Sequence, residues 1–145
     1  MTEAVIVLIL LASILVVVII RHTRGKDYVP EKPKVPYEPL TLAEAQELYA
    51  DGELTTRAGY LHYNLSVAYE VDDRDLGVFT GYVKPDAQHD GVLIIYDSKG
   101  ILRGKVTGQK DYYASLLNHR RASCYGIESK IDNDYQGEVC MQNIN

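Results

Sequence analysis

The chain has 145 residues, a net charge of −5 and 46% hydrophobic residues, enough for one modest core and too few for two large domains. The acidity sits in residues 40–145, where ten Lys/Arg face sixteen Asp/Glu, a balance that repels nucleic acid phosphates and anionic lipid headgroups. No basic stripe with interleaved aromatics is visible along the sequence, so the reading excludes a nucleic acid partner.

From Ala4 to Ile20 the chain runs through 17 positions with no charge and one polar side chain, Ser13. A helix of that length covers ~25 Å, at the lower limit for a bilayer core, and a lone apolar segment in lipid satisfies its backbone only as a helix. Met1-Thr2-Glu3 lacks the basic n-region of a signal peptide, and Arg21-His22-Thr23-Arg24 stands where a small-residue cleavage site belongs. The segment therefore reads as a single transmembrane anchor, residues 1–24, bounded by Ala4 and Ile20 and followed by Arg21 and Arg24. The positive-inside rule applied to Arg21, Arg24 and Lys26 puts the following domain on the cytoplasmic side, giving a single-pass membrane protein.

Residues 25–40 form a linker in which Pro30, Pro33, Pro36 and Pro39 recur every third position. Polyproline II has three residues per turn, so the four rings share one face of an extended rod. The strip reads as a spacer, or as an arm lying along another subunit.

Residues 41–145 read as a small α+β domain with a mainly antiparallel sheet and two helices. Thr41-Leu42-Ala43-Glu44 is a capping-box pattern opening a short helix that Asp51-Gly52 ends. Apolar and polar residues alternate from Gly59 to Val71, a strand pattern, and Val78 to Lys84 gives another. Gly91 to Tyr96 and Ile101 to Val106 flank Asp97-Ser98-Lys99-Gly100, which suits a type I turn closed by a left-handed Gly. Asp111 to His119 predicts a helix with Tyr112 and Leu116 inward. Short strands are expected near residues 127–131 and 138–141.

The stretch Val92 to Gly108, together with the helix expected after it, resembles the C-terminal hairpin of membrane-tethered thioredoxin-like proteins and the ligand-side hairpin of extracellular sensor domains. The resemblance spans about 25 residues and lacks the C-x-x-C of the thioredoxin-like family, so no catalytic residue comes with it. It implies, as an alternative function, a tethered ligand sensor or thioredoxin-like enzyme domain.

Tyr is the conspicuous residue type, with 12 Tyr against one Phe and no Trp. Its apolar ring and polar tip suit half-buried sheet positions or contact surfaces between subunits. Cys124 and Cys140 read as inert buried residues or as a possible disulfide. Asp132-Asn133-Asp134-Tyr135-Gln136-Gly137 matches the start of an EF-hand loop, but its twelfth place is Asn143 instead of a bidentate Glu, so it reads as a polar turn. Asn64-Leu65-Ser66 is a sequon within a predicted strand. No catalytic, cofactor-binding or metal-binding residue is assigned. The sequence points to a structural or accessory subunit whose Tyr-rich domain contacts other protein subunits, copies of itself in a homo-oligomer included, in a membrane-associated assembly such as a membrane-containing virus particle.

Overall fold

A computed structural model describes residues 2–24, 35–69 and 71–145 and divides the chain into two units, residues 1–33 and 34–145. The first unit is helix α1 (Thr2–Arg24), with Glu3 in its first turn, where a negative charge suits the helix dipole. Ser13 Oγ donates back to the Ile9 carbonyl at 2.8 Å. Side chains from Val5 to Val17 are exposed.

Among the described residues no helix is long and apolar enough to cross a membrane. This corrects the expectation of a single-pass anchor between Ala4 and Ile20, together with the membrane localisation and cytoplasmic orientation built on Arg21 and Arg24. The apolar run of ~25 Å falls short of a ~30 Å hydrocarbon core. Pro30 and Pro33 lie outside the described residues. Pro36 and Pro39 do not stand in a free rod: Gln142 Nε2 donates to the Pro36 carbonyl at 3.0 Å, and Leu40 is buried.

The second unit is a closed antiparallel barrel, which corrects the α+β expectation. It begins with α2 (Leu42–Glu47), capped as expected by Thr41, whose Oγ1 accepts from the Glu44 N–H at 3.2 Å. The strands β1 (Tyr49–Ala50) and β2 (Glu53–Leu54) follow, joined through Asp51-Gly52 with φ of 54° and 77°. Two left-handed residues in a two-residue loop make a type I′ hairpin, so this pair turns a hairpin rather than simply ending a helix.

Six strands then close the barrel: β3 (Tyr60–Val67), β4 (Gly77–Pro85), β5 (Leu93–Asp97), β6 (Leu102–Val106), β7 (Ala122–Ile131) and β8 (Asp134–Gln142). Their order is β3-β6-β5-β4-β7-β8, with β8 returning to β3. The consecutive hairpins β4-β5-β6 bring β6 beside β3 in a Greek-key arrangement. The β7–β8 hairpin is much longer than the two short strands expected there. Its turn is Asp132-Asn133, with φ of 52° and 66° and Ile131 opposite Asp134, again type I′.

The outcome differs from expectation because β7 does not alternate. Ala122 to Gly126 are buried on both faces, inward against the barrel core and outward beneath α2 and the β1–β2 hairpin. A strand buried on both faces loses the period-two signal. The interior is filled by Leu65, Phe79, Val83, Leu93, Ile95, Val139 and Met141, and α3 (Lys110–His119) adds Tyr112 and Leu116 to the same core. A second small core of Leu40, Ala45, Tyr125 and Cys140 lies on the outer side of β7 and β8.

Closure needs close backbone approach. A Cβ on Gly126 would lie 2.3 Å from the Glu138 carbonyl oxygen and 2.8 Å from the Phe79 ring. Gly126→Ala is therefore expected to cost on the order of 3 kcal/mol, as an overpacked core does. Chemical denaturation of the full chain checks this, and an unchanged midpoint would show that the strands can spread.

Candidate functional site: an aromatic and cationic outer face

Two features of the barrel concentrate chemistry, one inside and one outside. The inner one starts at the β5–β6 turn, which matches its sequence reading: Gly100 N–H donates to the Asp97 carbonyl at 3.0 Å, and Gly100 has φ of 83°. Asp97 Oδ1 accepts from the N–H groups of Lys99 and Ile101, both at 2.9 Å. Its other oxygen takes Arg103 Nε at 3.0 Å and Nη2 at 2.9 Å.

Arg103 reaches the interior through a β-bulge. Tyr96 pairs with Leu102 and Ile95 with Gly104, leaving Arg103 as the extra residue. Its guanidinium lies 5.1 Å from the Phe79 ring centroid, and Nη1 is 3.6 Å from Glu128 Oε2. The three side chains are 7%, 5% and 0% exposed for Arg103, Asp97 and Glu128.

Neither Glu128 oxygen has a hydrogen-bond partner among the described residues. Burial pushes the Glu128 carboxyl up to about 7, partly opposed by Arg103. Asp97 already balances the Arg103 charge, so a second carboxylate is held better in its neutral form. Sealed from solvent, the cluster serves the fold.

The outer feature lies on β4, β5 and β6. Register sets two rows across these strands: Lys84, Ile94 and Lys105 in one, Tyr82, Tyr96 and Leu102 in the next. Tyr82 and Tyr96 stack, with centroids 5.4 Å apart and planes 19° from parallel. Arg121, just before β7, lies 4.1 Å from the Tyr37 centroid and 5.9 Å from that of Tyr82. Lys84 Nζ stands 5.4 Å from the Tyr82 centroid. The result is a column, Tyr96–Tyr82–Arg121–Tyr37, beside a row of cations. At its β6 side a groove of about 420 Å³ is lined by Val67, Tyr69, Ile94, Leu102 and Lys105, and Tyr69 is fully exposed.

Residues singled out from sequence lie elsewhere. Cys124 and Cys140 are both free and buried, with Cys124 in the barrel core and Cys140 in the outer one. Their positions on opposite faces of the β7–β8 hairpin leave no disulfide between them, and burial pushes both thiols up. His119 Nδ1 meets the Ser115 carbonyl at 2.7 Å and has no part in a cysteine pair. Among the described residues no group of three His, Cys, Asp or Glu is placed to hold a metal. Asn64 is exposed on β3.

Sequence reasoning missed the column because its members are distributed over residues 37–121 and meet only through barrel closure. The legible signal was the Tyr excess. Comparison with known protein families, characterised proteins and solved structures gave no match.

The inner cluster has a pH signature. In the unfolded chain Glu128 titrates near 4.5, and in the fold at about 7, so between these values the native state binds more protons. The Glu128 contribution to stability is fully present below pH 4.5 and is lost as pH rises through 7. Glu128→Gln is expected to remove this slope, exceeding the parent by about 1 kcal/mol at pH 5 and by roughly 3 kcal/mol at pH 8. Urea melts at both pH values check this, and a variant less stable than the parent at pH 8 would show that ionised Glu128 supports the fold.

Proposed function

We propose that the barrel is a protein-contact module, a structural or accessory subunit that holds another protein on the outer face of β4, β5 and β6. One observation carries the reading: the Tyr96–Tyr82–Arg121–Tyr37 column with Lys84 and Lys105 beside it. Tyr and Arg are the residue types that anchor protein interfaces, since each combines a broad apolar surface with directional hydrogen bonding.

The local arrangement supports this role. Stacking on one another and on Arg121 fixes the rings before a partner arrives, which lowers the ordering cost of contact. Nothing in the fold demands three tyrosines here: the second core covers the outer side of β7 and β8 with α2 and the β1–β2 hairpin, whereas Lys84, Lys105 and Arg121 remain exposed.

The test uses the full chain and the double variant Tyr82→Ser/Tyr96→Ser. Proteins recovered with the parent chain are identified, purified and titrated against both forms. The double variant should bind at least ~30-fold more weakly, the effect of losing one interface anchor of about 2 kcal/mol. Equal affinity of both forms, with unchanged thermal midpoints, would remove the face from the function.

A further inference from the structure

The charge on this face runs against that of its domain. Residues 40–145 carry an excess of six acidic residues, yet β4 and β6 contain none. The one acid on β5, Asp97, points inward and is bonded to Arg103. Outward positions are therefore cationic or neutral: Lys84 and Lys105 flank Ile94, and Arg121 stands beside Tyr82. Such segregation is a local positive site on a negative body, and its complement is an anion.

Geometry narrows the kind of anion. Neighbouring strands are ~4.8 Å apart, so Lys84 and Lys105, separated by β5, have backbones ~10 Å apart. An extended peptide advances ~3.3 Å per residue and covers that distance in three residues. Ile94 between the two lysines offers an apolar seat for an intervening side chain, and the Tyr69 groove extends the apolar surface beyond Lys105.

A single-stranded nucleic acid, the other large polyanion, is served poorly. It needs free ring faces on which bases stack. Here Tyr82 has Tyr96 stacked on it at 5.4 Å and Arg121 within 5.9 Å, and Tyr37 is covered by Arg121 at 4.1 Å, so the column offers no run of open faces and Tyr69 in the groove is a single exposed ring.

Resting on the contact reading above, we infer that the partner segment held on β4, β5 and β6 is an extended acidic stretch with carboxylates about three residues apart. Lys84 and Lys105 each take one carboxylate, and the residue between them lies on Ile94.

The experiment titrates the full chain against fluorescein-labelled probes by anisotropy. The probes are the peptide Glu-Leu-Ser-Glu-Leu-Ser-Glu-Leu-Ser-Glu, its counterpart with Lys in place of every Glu, and a ten-nucleotide thymidine oligomer. The Glu peptide should bind saturably, the Lys peptide should not, and Lys84→Glu/Lys105→Glu should weaken the Glu peptide at least tenfold. Both lysines are exposed, so the thermal midpoint should stay unchanged and report an intact barrel. Failure of the Glu peptide to bind, indifference to charge reversal, or equal binding of the oligonucleotide would each overturn the inference. If Tyr82→Ser/Tyr96→Ser still releases the native partner in that case, the contact face stands and only the acidic character of its partner falls. Retention of the native partner by the Tyr variant removes the contact face itself.

Discussion

The buried pair between Asp97 and Arg103 fixes more of this molecule than any other contact. One carboxylate oxygen organises the β5–β6 turn and the other holds the guanidinium. For Arg103 to point inward, β6 must carry a bulge, and the bulge resets which residues face out. Leu102 and Lys105 are three positions apart and would lie on opposite faces of a regular strand. With the extra residue between them they share the outer face, opposite Tyr96 and Ile94. A one-residue slip would exchange the faces of the strand. The inner ion pair thereby determines the outer row of cations.

The pair is costly to bury, which explains its surroundings. Arg103 also donates to the Asp75 carbonyl and lies against Phe79, so each of its three nitrogens has an acceptor and its flat face is covered. Buried charges persist only with that degree of satisfaction. Glu128, the third member, is not so well served, and its shift toward the neutral form is the relief.

Local chemistry was legible in the sequence and long-range closure was not. Asp97-Ser98-Lys99-Gly100 announces its turn because Gly and Asp have steric and hydrogen-bonding reasons to be there. The Thr41 cap and the α3 helix were readable for similar reasons. Asp132-Asn133 looked like a calcium-loop start or a plain turn, while its use of two left-handed residues makes it the hinge of the longest hairpin. Ala122 to Gly126 gave no strand pattern because both faces are covered, and without β7 there is no barrel. The apolar N-terminal run suggested a span by composition, yet its length lies at the edge of the rule that identified it. Tyr37, Tyr82, Tyr96 and Arg121 had no mutual signature, since register alone assembles them.

The tyrosines among the described residues divide by what their hydroxyls do. Tyr112 donates to the Gln142 carbonyl, Tyr113 to that of Asp86 and Tyr125 to that of Thr55, each at 2.7 Å. These rings are structural, and their polar tips satisfy backbone groups that a Phe would leave unpaired. Tyr82 and Tyr96 are held instead by each other, and among the described residues their hydroxyls have no hydrogen-bond partner. This division also bears on how an acidic segment can approach an acidic domain. Beyond a Debye length of ~8 Å the domain's net repulsion is screened at physiological salt, so the field met on contact is that of the nearest groups. Those groups are Lys84, Lys105 and Arg121. Recognition on this face is accordingly short-ranged: the overall charge lends no steering to the encounter, and residence rests on cations and pre-stacked rings within one side-chain length of the partner.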